Sequence, residues 1–320
     1  MPIQFLILLG SLLVLFAGAE GLVRGSASLA LRLGLTPLVV GLTVVAFGTS
    51  APELVVSLNA ALSGRGDIAV GNIVGSNIFN IGIILGITAL ICPIKVSLPV
   101  LRLDAPLMVG ATLLVTLFLL DGSISSPLGF GLLASLIAYS SFTVWMARTE
   151  TAAGVEAEFE EANPGKSKFI LLDVAFILGG FVLLIVGSRL LVDSASTIAR
   201  AYGVSEAIIG LTIIAAGTSM PELATSLLAA VRRQPDIAIG NVIGSNLFNV
   251  LGILGSAAAV RAITAPGIQT SDLVVMCAFA VALLPLMFTG RSLQRWEGGL
   301  LLVGYAAYLA AILPANESNP

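Results

Sequence analysis

Two short stretches place a carboxylate inside otherwise apolar sequence: "VAFGTSAPEL" at residues 45–54 and "IAAGTSMPEL" at 214–223. The first holds Thr49, Ser50, Pro52 and Glu53; the second holds Thr218, Ser219, Pro221 and Glu222. A further pair, "GNIVGSNIFNIG" (71–82) and "GNVIGSNLFNVL" (240–251), adds amides and hydroxyls. On a helix Asn72, Ser76 and Asn80 recur at i, i+4, i+8 and form one polar stripe, and Asn241, Ser245 and Asn249 form its counterpart. Asn77 and Asn246 sit one step off that stripe. With no histidine in the chain, the donors are all oxygens, which suit the hard cations Ca²⁺, Na⁺, Mg²⁺ and Mn²⁺. Two glutamates supply a charge that one Ca²⁺ neutralises, and flexible multi-oxygen coordination favours Ca²⁺ over Mg²⁺. The plainer reading of the stripes is polar glue between helices.

The prolines bear on the backbone. Proline lacks an N–H and clashes with the carbonyl four residues back. Pro52 and Pro221 therefore leave the Gly48 and Gly217 carbonyls without their helical partners. A break or kink is expected at each site. Thr49 or Ser50 would cap a new half-helix that begins at Pro52 and carries Glu53 in its first turn. The freed carbonyls near Ala46 to Gly48 would then be oxygen ligands.

The elements that hold these residues are membrane spans. The chain is 57% hydrophobic and 10% charged, too few charges to coat a soluble globule of 320 residues. Apolar runs of about 20 residues without strand-like alternation indicate an all-α polytopic membrane protein, not a barrel. Ten spans are expected, at 3–33, 36–62, 67–91, 105–121, 126–147, 170–200, 205–231, 236–260, 271–289 and 295–313. The N-terminus reads as the start of the first span and not as a removable signal. Cys92 and Cys277 are lone thiols with no disulfide expected, and there is no basic stripe for nucleic acid. Asp67 and Asp236 are expected as N-caps. Glu20 with Arg24, and Arg189 with Asp193, are expected as intrahelical pairs. Gly71 with Gly75, and Gly240 with Gly244, should let a neighbouring helix approach closely.

The chain repeats itself. Residues 41–86 align without a gap on 210–255, with 27 identities in 46 positions. That implies duplication, with a first five-helix half at 1–147, an acidic linker at 148–168 and a second half at 169–320. Five spans per half is odd, so the halves must insert in opposite orientations. With the N-terminus outside, ten of the arginines and lysines near span ends fall in the cytoplasm and only Arg65, Arg200 and Arg261 fall outside. Both termini are then expected outside and the linker cytoplasmic. Inverted repeats with broken helices 2 and 7 point to alternating access, with the site near the bilayer midplane.

At the doubled "GTSAPE…GNIVGSN" and "GTSMPE…GNVIGSN" the sequence resembles the cation/Ca²⁺ exchanger superfamily, in its prokaryotic sodium/calcium exchanger-like branch. The resemblance covers nearly the whole chain. It implies a core of spans two, three, seven and eight, with the first and sixth spans as a long pair sliding across it. It implies Ca²⁺ ligands at Glu53, Glu222 and the carbonyls of Thr49 and Thr218. Sodium sites would draw on the same glutamates, on Ser50, Ser76, Ser219 and Ser245, and on Ala46 and Ala215, with Asn80 and Asn249 at the centre. Some sodium-coupled members carry an aspartate where this chain has Asn249; others, including proton-coupled members, lack it.

The expectation is therefore an antiporter of the plasma (prokaryotic inner) membrane that exchanges Ca²⁺ for Na⁺, with no resident cofactor and no enzymatic activity. The same fold running on protons as a Ca²⁺/H⁺ antiporter is the alternative, and a passive cation channel is less favoured. An intramembrane hydrolase lacks a serine–histidine or paired-aspartate arrangement here.

Overall fold

The computed structural model describes residues 2–147, 169–203 and 215–312. The acidic linker expected at 148–168, the first part of the expected seventh span (residues 204–214) and the C-terminal tail (313–320) lie outside the described residues. Among the described residues, seven helices are long and apolar enough to cross a membrane, or eight with one bent pair counted as a single span.

Two of these helices are far longer than a bilayer requires. α1 (Pro2–Leu33) and α7 (Ile170–Ala201) each run 32 residues, against roughly 20 for one crossing. They pack on each other through glycines. A Cβ on Gly18 would lie 2.8 Å from the Leu184 nitrogen, and one on Gly25 would lie 2.8 Å from the Asp173 carbonyl. One on Gly180 would lie 2.7 Å from the Leu22 nitrogen. The two backbones touch, so any larger side chain at these positions would force the helices apart. Arg32 closes one end of the pair by an ion pair with the buried Asp173, Nε to Oδ2 at 3.0 Å.

α2 (Pro37–Thr49) and α3 (Ala51–Leu62) are the bent pair, meeting at 50°. Thr36 caps α2, its hydroxyl accepting from the Val39 nitrogen at 3.4 Å, with Pro37 at the first helical position. α4 (Gly66–Ile91) follows, then α5 (Val100–Leu120) and α6 (Ser126–Ala147). In the second half α8 (Ala215–Thr218) leads into α9 (Met220–Val231), then α10 (Pro235–Val260), α11 (Thr270–Phe288) and α12 (Arg295–Ile312). α4 and α10 form the centre, and α10 is the more deeply buried. Four two-residue strands tie the halves together: β1 (Ile94–Lys95) pairs with β4 (Ser292–Leu293), and β2 (Ser123–Ile124) pairs with β3 (Ile263–Thr264).

The distribution of polarity is that of a membrane protein. Leu6, Leu13, Phe130, Ile137, Leu171 and Val303 are exposed, while Thr49, Ser50, Glu53, Asn80, Ser219, Glu222 and Asn249 are buried. Lipid accepts an apolar exterior, so the polar groups can only be satisfied within.

Several local expectations are corrected. Glu20 does not pair with Arg24. It binds Arg232 at 2.8 Å, and Arg24 stacks over the Phe176 ring at 5.7 Å. Both helices of the long pair stand beside other elements, so a nearer partner across the interface displaces the intrahelical one. Among the described residues no ion pair joins Arg189 to Asp193. Asp67 and Asp236 lie within the first turns of α4 and α10 and are not their N-caps, which are Arg65 and Gln234. The Asp67 carboxylate instead accepts from the Gly267 nitrogen at 2.8 Å. Gly240 and Gly244 do admit a close neighbour, as a Cβ on Gly244 would lie 2.6 Å from the Leu42 carbonyl of α2. For Gly71 and Gly75 the counterpart neighbour, at 207–211 by the repeat, lies outside the described residues; among those described, a Cβ on Gly71 meets only Ile268, at 3.7 Å.

Candidate cation site

The backbone breaks where the prolines stand. Ser50 (φ −81°, ψ 7°) separates α2 from α3, and Ser219 (φ −91°, ψ 9°) separates α8 from α9. Pro52 and Pro221 sit in the first turns of the new helices, beside Glu53 and Glu222. The N-terminal ends of both helices therefore face a carboxylate, the favourable sense for a helix dipole.

The capping expectation is corrected at this point. Ser50 occupies the N-cap position, yet its hydroxyl makes no cap bond. It donates instead to Glu222 Oε1 of the other half at 2.9 Å. Ser219 returns the contact, its hydroxyl donating to Glu53 Oε1 at 2.9 Å. The charge-assisted bond fixes the direction of the serine side chain, and in that direction its lone pairs make no cap bond to α3. The Thr49 hydroxyl points back to the Val45 carbonyl at 3.1 Å and also lies 3.1 Å from Asn241 Oδ1.

The carbonyls are less free than expected. Ala46 O still receives the Ser50 nitrogen at 3.1 Å and has the Thr49 hydroxyl at 3.3 Å. Gly217 O accepts the Ser188 hydroxyl of α7. α7 lies across both breaks: a Cβ on Gly48 would fall 1.7 Å from the Phe181 ring, and one on Gly217 would fall 1.9 Å from Val192. Only a bare backbone fits beneath this helix. Phe181, Ser188 and Val192 carry no motif, and sequence reasoning did not find them.

The asparagine stripes divide into two roles. Asn72 and Asn241 hold the glutamates in place. Asn72 Nδ2 donates to Ser57 Oγ at 2.9 Å and to the Glu53 carbonyl at 3.2 Å. Asn241 Nδ2 donates to Ser226 Oγ at 2.8 Å and to the Glu222 carbonyl at 3.3 Å. The plainer reading, polar contacts between helices, fits these two. Asn80 and Asn249 begin or occupy π-helical turns, Asn80–Leu85 in α4 and Phe248–Ile253 in α10. Such a turn inserts an extra residue and re-aims the side chains around it, and it occurs often at functional sites.

Several buried oxygens are left over. Glu53 Oε2, Glu222 Oε2, Asn80 Oδ1, Asn249 Oδ1 and Ser245 Oγ are buried and, among the described residues, have no hydrogen-bond partner. Ser76 lines a cavity with Asn72, Gly75 and Tyr305. Among the described residues no arginine or lysine forms an ion pair with either glutamate. Two buried carboxylates without a cationic side chain are costly unless a cation or protons join them. Of the expected set, Glu53, Glu222, Ser50 and Ser219 are joined by hydrogen bonds between the two breaks, and Asn80, Asn249 and Ser245 are buried on α4 and α10. Thr49 and Thr218 end the half-helices at those breaks, and Ala46 and Ala215 lie on those same half-helices.

The family profile described as sodium/calcium exchanger protein matches residues 3–145 and 172–313. The chain belongs to that family. It is 39% identical to the putative antiporter CaxA of Alkalimonas amylolytica, over 96% of this chain and 98% of the relative. It is 32% identical to the sodium/calcium exchanger MaX1 of Methanosarcina acetivorans, covering 97% and 98%. Its fold is similar to that of the sodium-calcium exchanger NCX_Mj soaked with Na⁺ and Ca²⁺, at a TM-score of 0.81 and 30% identity, covering 97% and 98%. The chain is thus an integral membrane protein of an exchanger family.

Proposed function

We propose that the chain is a secondary active antiporter exchanging Ca²⁺ for Na⁺ by alternating access. The observation that carries this reading is the pair of buried glutamates, cross-linked by each other's serines and left with unsatisfied oxygens. A single Ca²⁺ or a set of Na⁺ ions would compete for those oxygens. Without either, two uncompensated carboxylates oppose movement through a low-dielectric interior, which makes exchange obligatory. The ligands would be Glu53 and Glu222, the carbonyls of Thr49, Thr218 and Ala215, that of Ala46 once the Thr49 hydroxyl at 3.3 Å gives way to the ion, the hydroxyls of Ser50, Ser76, Ser219 and Ser245, and the amide oxygens of Asn80 and Asn249.

The architecture is ten spans in two inverted halves, 1–147 and 169–320, joined by a cytoplasmic linker at 148–168, with both termini outside a plasma or prokaryotic inner membrane. Contacts that recur with the halves exchanged support it. Ser50–Glu222 mirrors Ser219–Glu53, and Tyr139–Asp104 at 2.8 Å mirrors Tyr308–Asp272 at 3.0 Å. The glycine seam between α1 and α7 supports their movement as one body over the core, α7 passing over Gly48 and Gly217.

The test is ⁴⁵Ca²⁺ uptake into proteoliposomes. An opposing Na⁺ gradient is expected to accelerate it. If only a pH gradient does so, Na⁺ coupling is wrong and proton coupling by the same glutamates replaces it. Uptake that needs no counter-ion would indicate a channel. Glu53→Gln and Glu222→Gln are each expected to abolish exchange, and wild-type flux in either would remove these residues from the site.

A further inference from the structure

Asn77 stands beside the central cation oxygens without being one of them. It is buried on α4, and both ends of its amide are committed to α10. Asn77 Nδ2 donates to the Asn246 carbonyl at 3.4 Å. A main-chain carbonyl only accepts, so this contact fixes which way the Asn77 amide faces. Asn77 Oδ1 is thereby turned outward, and it accepts from Asn249 Nδ2 at 2.9 Å.

We infer that Asn77 is a positioning residue that orients the Asn249 amide, holding its nitrogen away from the cation and its oxygen toward it. The inference rests on the proposed cation site. An asparagine amide is nearly symmetric in shape, and packing alone does not choose between its two orientations. The wrong one would present an NH₂ group, with its partial positive charge, to a cation. Asn77 removes that choice because its free oxygen accepts a hydrogen bond and donates none. The result agrees with the buried atoms: Asn249 Oδ1 is left without a donor, as an oxygen reserved for a ligand would be. The arrangement exists in one half only. Asn246, the counterpart of Asn77, has neither amide atom hydrogen-bonded. Both motifs read G-S-N, so the difference is a property of the packed structure and not of the repeat.

The experiment uses the full-length chain, in proteoliposomes and in detergent, with Ca²⁺ as the probe. Asn77→Ala, Asn249→Ala and the double variant are compared for the Ca²⁺ concentration at half-maximal flux. They are also compared for Ca²⁺-dependent thermal stabilisation and for melting temperature without Ca²⁺. Asn77→Ala is expected to raise the half-maximal Ca²⁺ concentration roughly tenfold, the scale for one lost buried polar contact. Maximal flux should hold, and the Ca²⁺-free melting temperature should fall only as far as two lost buried hydrogen bonds require. In the Asn249→Ala background, removing Asn77 should add nothing. Should Asn77→Ala yield no folded protein, the isosteric Asn77→Leu takes its place with the same expectation. Multiplying losses, an unchanged Ca²⁺ dependence, or a lower melting temperature alone overturns the positioning role. If the unsubstituted protein shows no response to Ca²⁺, the proposed function itself falls, an outcome separate from these.

Discussion

Ser50 and Glu222 are 172 positions apart in the chain, yet the serine hydroxyl donates to the glutamate at 2.9 Å. The bond spans the duplication: the serine at the break in one half orients the carboxylate of the other. On the proposed reading neither half contains a complete site. Each glutamate is buried by the helix break that also supplies the serine for its twin.

Removing one of these hydroxyls takes a donor from a buried carboxylate. Ser50→Ala and Ser219→Ala are each expected to weaken Ca²⁺ transport by about 1–3 kcal/mol, on the order of 5- to 150-fold in half-maximal concentration. The two should be similar, because the two bonds are equal in length. Concentration-dependent ⁴⁵Ca²⁺ uptake measures this, and a loss confined to one of the two variants would contradict the reciprocal reading.

The asparagines behind the glutamates should differ in cost. Asn241 is fully buried and also has Thr49 at 3.1 Å on its oxygen, whereas Asn72 is half-buried. Asn241→Ala is expected to cost about 2–3 kcal/mol of stability, and Asn72→Ala about 1 kcal/mol. Melting temperatures of the purified variants should therefore fall further for Asn241→Ala. The reverse order would mean that the network around Thr49 carries little energy.

A methyl group at Gly48 collides with the Phe181 ring. Gly48→Ala is expected to slow exchange about tenfold or more, since overpacking of this kind costs about 1–3 kcal/mol. Shortening the opposing residue should relieve it. Flux is expected to recover in Gly48→Ala with Phe181→Ala, and no recovery would show that the glycine is needed for something other than the passage of α7.

The Glu20–Arg232 pair joins α1 of the long pair to the end of α9. By the repeat, the counterparts of these residues are Arg189 and Ser63, which cannot form an ion pair. A one-sided contact of this kind favours one facing of an alternating-access protein over the other. Because the pair is largely exposed, the bias is small, at most about 1 kcal/mol. Glu20→Gln should shift the labelling of single cysteines placed on either side of the core by less than about fivefold, and the charge swap Glu20→Arg with Arg232→Glu should restore it. Labelling unchanged by Glu20→Gln would leave the pair without a role in facing.

The expected break at Gly-Thr-Ser-x-Pro-Glu is present because proline cannot complete a helical hydrogen bond in any surroundings. Local readings failed where two partners competed. Ser50 was expected to cap a helix and instead binds Glu222; Glu20 was expected to bind Arg24 and instead binds Arg232. In each case a charge brought near by packing fixes the direction of the side chain. The π-helical turns at Asn80–Leu85 and Phe248–Ile253 escaped the sequence as well, since an inserted residue leaves no mark on composition.

What the sequence by itself determined is the chemistry available. Its repeated motifs hold two carboxylates, hydroxyls and amides in a duplicated apolar chain with no histidine, and so an all-oxygen donor set inside a membrane protein. What only the tertiary structure decided is which of those oxygens remain open. Ala46 O and Gly217 O are taken by neighbours, Asn72 and Asn241 serve the glutamate backbones, and Asn249 is held by Asn77. A hydrogen bond depends on distance and direction between atoms far apart in the chain, and only the packing of the helices sets those.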